Sequence, residues 1–275
     1  MHSYLIVIYN ESVFDTPTYQ TLIRMLNHTP HQATLYIWDN SPEAQHTSSL
    51  KSVVSTLSIN YYHSAKNESL SIVYNKVMAL AFEAESAYMT ILDQDSYLDL
   101  NFKSSINNIT DPYLLVPKVC SDKTGKLISP RYQRYNYLTN NCQISYVTEN
   151  ISAGKYNTAG FFAVGSGMTI TKDLWLSKIQ FRECLSFYGV DTEFCVDYAK
   201  EHKEFILLGT VIKHNASNEH DEGYAKFKWR LTKYYEHWRY QLYEHSRTPN
   251  FLVPVYLRAR FKLSLIKNKL KRLIK

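Results

Sequence analysis

Asp93 and Asp95 stand two residues apart, with Gln94 between them, directly after the apolar run Tyr88 to Leu92 (YMTIL). In an extended segment residues i and i+2 point to the same side, so the two carboxylates are presented together. Paired carboxylate oxygens suit Mg2+ or Mn2+, ions that are shared with the phosphates of a substrate rather than caged by protein alone. The same residues also fit a solvated turn with capping Asp side chains, and the short motif does not separate the two readings. Gly165-Ser166-Gly167 allows either close backbone approach to a ligand or a tight turn. Tyr132, Tyr135 and Tyr137, in the run RYQRYNY, offer rings for stacking on sugars or for packing. Cys120, Cys142, Cys184 and Cys195 form no CxxC pair and are too widely spaced for a zinc knuckle, so reduced thiols are expected.

The elements that must position these residues alternate in type. Ser3 to Tyr9, Ala33 to Trp38, Ile59 to His63 and Tyr88 to Leu92 read as strands, and Thr18 to Leu26, Ser48 to Leu57 and Leu70 to Ala84 as helices. Such alternation predicts an α/β chain with a mainly parallel, doubly wound sheet flanked by helices. Ligands bind such sheets beyond the carboxyl ends of the strands. The residues there are Asn10-Glu11-Ser12, Asp39-Asn40-Ser41, Ser64 to Asn67 and Asp93 to Ser96, a polar rim suited to a nucleotide and a cation. Further on, Tyr113 to Val119, Phe161 to Thr171 and Glu204 to Ile212 read as strands, with helices over Asp173 to Lys178 and Thr192 to His202. From Tyr224, the residues Phe227, Leu231, Tyr234, Trp238 and Leu242 keep helical spacing, and Pro249 and Pro254 separate this helix from a basic tail.

Five segments then combine: Val7-Ile8-Tyr9-Asn10, Trp38-Asp39-Asn40-Ser41, Asn67 to Asn75 (NESLSIVYN), Leu92-Asp93-Gln94-Asp95-Ser96 and Val190 to Cys195 (VDTEFC). In order and spacing, over about residues 3–215, they resemble the inverting family-2 glycosyltransferases with a GT-A (Rossmann-like) fold. The likeness is to the rhamnosyltransferase-like branch that builds bacterial lipopolysaccharide O-antigen, capsule or related surface glycans. The resemblance implies a donor site at Tyr9, Asp39, Lys66, Asn67, Asp93 and Asp95. Asp39 would contact the nucleobase, Asp93 the ribose or a metal-bound water, and Asp95 a Mn2+ or Mg2+ ion bridging the diphosphate. His214 matches a position near that metal, where a neutral imidazole suits Mn2+, and is equally readable as a surface histidine; for His220, a weaker candidate, the surface reading leads. Asp191 would be the general base on the acceptor hydroxyl, with Glu193 as alternate; capping of the helix from Thr192 is the competing role for Asp191. Ser69 and Val73 replace the usual Gly and Ala, Val190 replaces a Glu, and Asp197 a frequent Arg. The donor implied first is dTDP-rhamnose, then UDP-galactose or UDP-glucose. The rival readings are a retaining GT-A transferase and a non-catalytic, membrane-associated nucleotide or glycan binder. The expected division is a transferase domain over 1–223, with a nucleotide-sugar half at 1–100 and an acceptor half at 101–223, followed by C-terminal helices over 224–275.

Composition sets the outer limits. At 275 residues, 45% hydrophobic and 20% charged, disorder, collagen and a coiled-coil rod are excluded for the whole chain. The net charge of +6 is concentrated in the tail: eight of the 31 basic residues and no acid lie between Arg258 and Lys275, leaving 23 basic against 25 acidic residues elsewhere. Leu263, Ile266, Leu270, Leu273 and Ile274 recur there at helical spacing among the cations. A basic amphipathic helix of this kind fits an anionic membrane surface and a lipid-linked oligosaccharide acceptor; nucleic-acid binding and dimerisation are the alternatives, the near-neutral body arguing against the first. The N-terminus lacks the pattern of a secretory signal and no apolar run spans a bilayer. A cytoplasmic protein, peripheral at the inner face of a bacterial plasma membrane, is therefore expected. The Asn-x-Ser/Thr triplets at Asn10, Asn27, Asn67, Asn108, Asn150 and Asn215 then carry no glycosylation meaning.

Overall fold

A computed structural model of the chain describes residues 1–47, 50–107, 109, 113–146, 152–215 and 223–274. Asn108, Asn150, His220, Lys275 and the start of the helix expected from Ser48 lie outside the described residues, as do the side chains of Leu273 and Ile274. In chain order the elements are β1 (His2–Ile8), a 3-10 turn (Val13–Asp15), α1 (Pro17–His28), β2 (Ala33–Asp39), β3 (Leu57–His63), α2 (Leu70–Glu83), β4 (Tyr88–Asp93), β5 (Ser96–Tyr97) and α3 (Phe102–Ile106). They continue as β6 (Leu114–Ser121), β7 (Leu127–Ser129), β8 (Arg131–Asn136), β9 (Asn141–Tyr146), β10 (Gly154–Asn157), β11 (Phe161–Phe162), β12 (Thr169–Thr171), α4 (Lys172–Leu176), α5 (Val190–Glu201), β13 (Glu204–His214), α6 (Tyr224–His245) and α7 (Val253–Ile274).

The main sheet runs β10-β13-β6-β12-β4-β1-β2-β3, with β5 paired to β13 and β7 to β6. The strands β3, β2, β1 and β4 are mutually parallel, as are β6 and β13, and β12 is inserted antiparallel between β4 and β6. A second sheet, β11-β8-β9, shares no strand pairing with it but packs on it, Phe161 of β11 stacking on Phe205 of β13. This is the mixed α/β architecture, with a mostly parallel centre flanked by helices, that the alternating pattern predicts.

Period-two alternation explains the layers. Tyr4, Ile6 and Ile8 of β1 bury on one face with Leu22, Met25 and Leu26 of α1, whereas Leu5 faces the opposite side with Val73, Val77, Met78 and Ala81 of α2. A strand covered on both faces has to be apolar throughout, which is why β1 reads as a continuous hydrophobic run. Helix α1 starts sharply because Thr16 accepts a hydrogen bond from the Tyr19 amide and Pro17 occupies the first turn.

Three expectations are corrected. Residues 50–56 form no helix, and Leu57 instead opens β3; the segment is rich in Ser and β-branched residues, and Val53 is left exposed. The single strand expected from Phe161 to Thr171 is two strands in different sheets, broken by Gly165-Ser166-Gly167, where Gly167 adopts φ +82°. A Cβ at Gly167 would sit 2.5 Å from both Ile212 and Pro117, so only glycine fits. Finally, α5 begins at Val190 with Gly189 as its cap, so Asp191 lies inside the first turn rather than capping it.

The helices α6 and α7 form an antiparallel hairpin around Trp238, Leu242, Val253 and Leu257. Among the described residues no helix is long and apolar enough to cross a membrane, and no disulfide joins the cysteines.

Candidate active site

Asp93 ends β4 beside Val7 of β1, at the carboxyl edge of the parallel strands. The chain then turns through Gln94 and Asp95 into β5, which pairs Ser96 with His214 at the end of β13. That pairing carries His214 to the carboxylates across more than a hundred residues of sequence. Its Nδ1 lies 3.3 Å from Asp95 Oδ1, 4.0 Å from Asp93 Oδ2 and 3.1 Å from Ser96 Oγ. Among the described residues, Asp93, Asp95 and His214 form the one group whose potential ligand atoms all lie within 4.8 Å of one another. Desolvation in the cleft raises the Asp93 carboxyl up to about 6; His214 opposes this, while the charges of Asp95 and Asp191 add to it. Asp95 is raised for the same first reason, with His214 again opposing. Two carboxylates and an imidazole converging in this way fit a divalent cation, and their mutual repulsion is what such an ion relieves.

The Gly165-Ser166-Gly167 turn connects this group to Asp191. The Gly165 amide donates to Asp191 Oδ2 at 3.2 Å. Ser166 Oγ accepts from the Asp93 amide at 3.5 Å and lies 2.6 Å from Ser96 Oγ. The Gly167 amide donates to Ile91 O at 2.7 Å, closing the turn onto β4. Asp191 Oδ1 also accepts from the Thr192 amide at 2.8 Å. Tyr74 of α2 is a third link: burial first, then the charges of Asp93 and Asp191, hold its phenol well above the ordinary range. Both aspartates therefore act on one buried hydroxyl. Ser96, Ser166 and Tyr74 fall within segments that the sequence marks, but their side chains have no role legible there, because only the assembled sheet with α2 packed on it brings the three together.

The segment that delivers Asp191 is held by α2. Asn75 Nδ2 donates to Phe181 O and its Oδ1 accepts from the Phe181 amide, while Ser71 Oγ donates to Leu185 O and the Leu70 amide to Ser186 O. The remaining rim residues sit along the same edge. Tyr9 is exposed, and its amide donates to Gln94 Oε1 at 2.7 Å. Asp39 is buried: Oδ1 accepts from the Ser41 amide and Oδ2 from the Gln45 amide and Tyr61 Oη. Burial pushes the Asp39 carboxyl up, but these hydrogen bonds outweigh it and leave the group below the ordinary range. Its carboxylate thus shapes the loop after β2. Lys66 is exposed, and Asn67 adopts φ 49° on the neighbouring turn, which Asn40 ties down by accepting from the Glu68 amide and donating to Glu68 O.

Glu193, the alternate base, is turned away from this cleft. It is 1% exposed; Oε1 accepts from His237 Nε2 at 3.1 Å and Oε2 from His245 Nε2 at 2.8 Å. Burial raises its carboxyl, yet the two histidines outweigh it and bring it to about 2. Of the sequence departures, Asp197 pairs bidentately with Arg182 and also with Lys200, an arrangement remote in role from the cleft. Tyr135 and Tyr137 stack on each other, and Tyr132 Oη donates to Asn157 O, so all three are engaged in packing.

No family model matches the chain, and no curated protein matches it in sequence. The fold has solved counterparts. S. aureus TarS 1–349 in complex with UDP-GlcNAc superposes with a TM-score of 0.53 at 11% identity, covering 93% of this chain and 70% of that one. The same TarS fragment in complex with UDP gives 0.52 at 12% identity, covering 93% and 69%. The central sheet and its flanking helices are therefore a fold shared with TarS.

Proposed function

We propose that the chain is a nucleotide-sugar glycosyltransferase of the inverting GT-A type, with Asp95, Asp93 and His214 holding a Mn2+ or Mg2+ ion and Asp191 as general base. The observation that carries this reading is the single turn, Gly165 to Gly167, that touches Asp191 with one residue and the Asp93–Ser96 loop with the next. A base and a charge-neutralising group joined so closely suit a displacement in which a proton leaves the acceptor as charge gathers on a diphosphate. When bound, the divalent ion supplies stabilisation of that developing charge. Asp191 takes the proton from the acceptor hydroxyl, and the Gly165 amide fixes the carboxylate that does so. Attack from the side opposite the leaving diphosphate inverts the anomeric centre. Tyr9, Lys66 and Asn67 line the donor side, and Asp39 acts there by shaping the loop after β2.

The TarS structure with UDP-GlcNAc adds that sugar nucleotide to the donors worth testing beside dTDP-rhamnose, UDP-galactose and UDP-glucose. A lipid-linked acceptor of a bacterial surface glycan fits the outer face of α7. There Val255, Leu263, Ile266 and Leu270 are exposed at intervals of three to eight residues, flanked by Arg258, Lys262, Lys267 and Lys269. Val253 and Leu257, on the opposite face, pack against α6. An apolar stripe between cations is suited to lie in an anionic membrane interface.

Thermal shift with this donor panel, with and without Mn2+, followed by NMR of the product, tests the reading. The expected result is a donor that raises the melting temperature only with Mn2+ and a product of inverted anomeric configuration. Retained configuration would establish the retaining rival; binding without turnover for any acceptor would establish the non-catalytic one.

A further inference from the structure

Glu193 presents a problem that the cleft does not resolve: an ionised carboxylate buried to 1% exposure is unfavourable unless its partners are fixed. Its partners all come from α6. His237 and His245 donate to its two oxygens, and Gln241 Nε2 approaches Oε1 at 3.5 Å. His245 is itself braced by the Tyr137 ring, at 5.4 Å between centroids, and the neighbouring Trp238 donates from Nε1 to Tyr137 O at 2.7 Å. This set is not a metal site, since the two imidazoles engage different oxygens and do not converge.

The same helix also fixes the start of α5. Gly189 caps α5 with φ +84°, and a Cβ there would lie 2.2 Å from the His237 ring. His237 therefore packs on the cap and bonds the first turn at once. Just before the cap, Lys233 Nζ donates to Ser186 Oγ, which in turn bonds Glu236 Oε2. Asp191 and Glu193 are two residues apart on a helix and so leave it in nearly opposite directions. Glu193 is anchored to α6 on one side while Asp191 meets the Gly165 amide on the other.

We infer that Glu193, His237 and His245 are positioning residues for Asp191, so that the C-terminal helix α6 is part of the active site and not an appendage. This rests on Asp191 being the base proposed above. The clamp holds the α5 first turn against the Gly165 turn, which fixes the carboxylate relative to Asp93 and Asp95. A shift of about 1 Å at such a group lowers turnover on the order of a hundredfold without touching donor contacts.

The test uses the full chain and two readouts, on His245→Asn, His237→Asn and Glu193→Gln. Hydrogen–deuterium exchange needs no substrate. The expected result is exchange at residues 189–194 and 163–167 faster by roughly tenfold, with β1 to β4 retaining their protection. Unchanged exchange there, or a uniform loss over the whole chain, would overturn the inference. With the donor identified by thermal shift, kcat is expected to fall at unchanged donor KM in both histidine variants. Glu193→Gln, which keeps the shape and one acceptor oxygen, should retain more turnover than Glu193→Ala; equal loss in the two, or a rise in donor KM alone, contradicts positioning. If the exchange result appears but Asp191→Asn turns over normally, the clamp stands and the base assignment fails.

Discussion

Asp93, Asp95 and Asp191 are three carboxylates joined through one turn, and their surroundings differ. Asp191 receives backbone amides from Gly165 and Thr192, which orient it. Asn at this position keeps the shape and one of the two acceptor oxygens but takes no proton, so Asp191→Asn should reduce kcat by about 10²- to 10⁴-fold while leaving Mn2+-dependent nucleotide binding intact, as steady-state kinetics beside calorimetry will show. Desolvation holds the Asp93 carboxyl up at about 6. A cation there must displace the proton, so Mn2+ affinity should weaken as pH falls below about 6 and level off above it, a trend readable by titration calorimetry between pH 5 and 8. A pH-independent affinity would show that Asp93 is no ligand. The acids were legible because they follow an apolar strand directly. The bridging contact of Ser166 was not, since its partner Ser96 lies 70 residues away and only the sheet order brings them together.

At the level of elements, the clamp between α5 and α6 makes a distinct acid prediction. The Glu193 carboxyl, ordinarily near 4.5, stands at about 2 in the folded chain. A depressed acid contributes stability that is complete above the unfolded value and is lost as pH falls from about 4.5 towards 2, here roughly 3 kcal/mol in all. Urea unfolding at pH 7 and pH 3 should show about two thirds of that loss in the native chain and much less of it in Glu193→Gln; equal pH dependence in both would contradict it. His2 acts in an earlier window. Burial, with the charges of Lys103, His31 and the N-terminus adding to it, holds its imidazole well below 6.5, so stability should begin to decline as pH drops past about 6.5. The alternating strands and helices of the first hundred residues were legible from their periods. The small sheet β11-β8-β9 was not, because Arg131 to Tyr137 mixes polar and aromatic residues without a clear face, and its third strand, Phe161–Phe162, comes from farther along the chain.

The whole molecule places its excess positive charge and its exposed apolar stripe on the same helix, and the stripe faces outward because the inner face of α7 is filled by α6. Helical spacing in the tail was readable from sequence; which face stays open was not, since that depends on Val253 and Leu257 meeting Trp238. Replacing Leu263, Ile266 and Leu270 by Ser should abolish flotation with anionic liposomes while leaving the fold intact by circular dichroism, and recovery equal to that of the native chain would remove the membrane role. The central claim concerns the cleft itself, and calorimetric titration of UDP, dTDP and GDP into the native chain, Asp95→Ala and Asp191→Asn, each with and without Mn2+, tests it most directly. The account predicts one nucleotide that binds the native chain and Asp191→Asn only with Mn2+, and does not bind Asp95→Ala. Undiminished Mn2+-dependent binding by Asp95→Ala, or no binding of any nucleotide by the native chain, would contradict it.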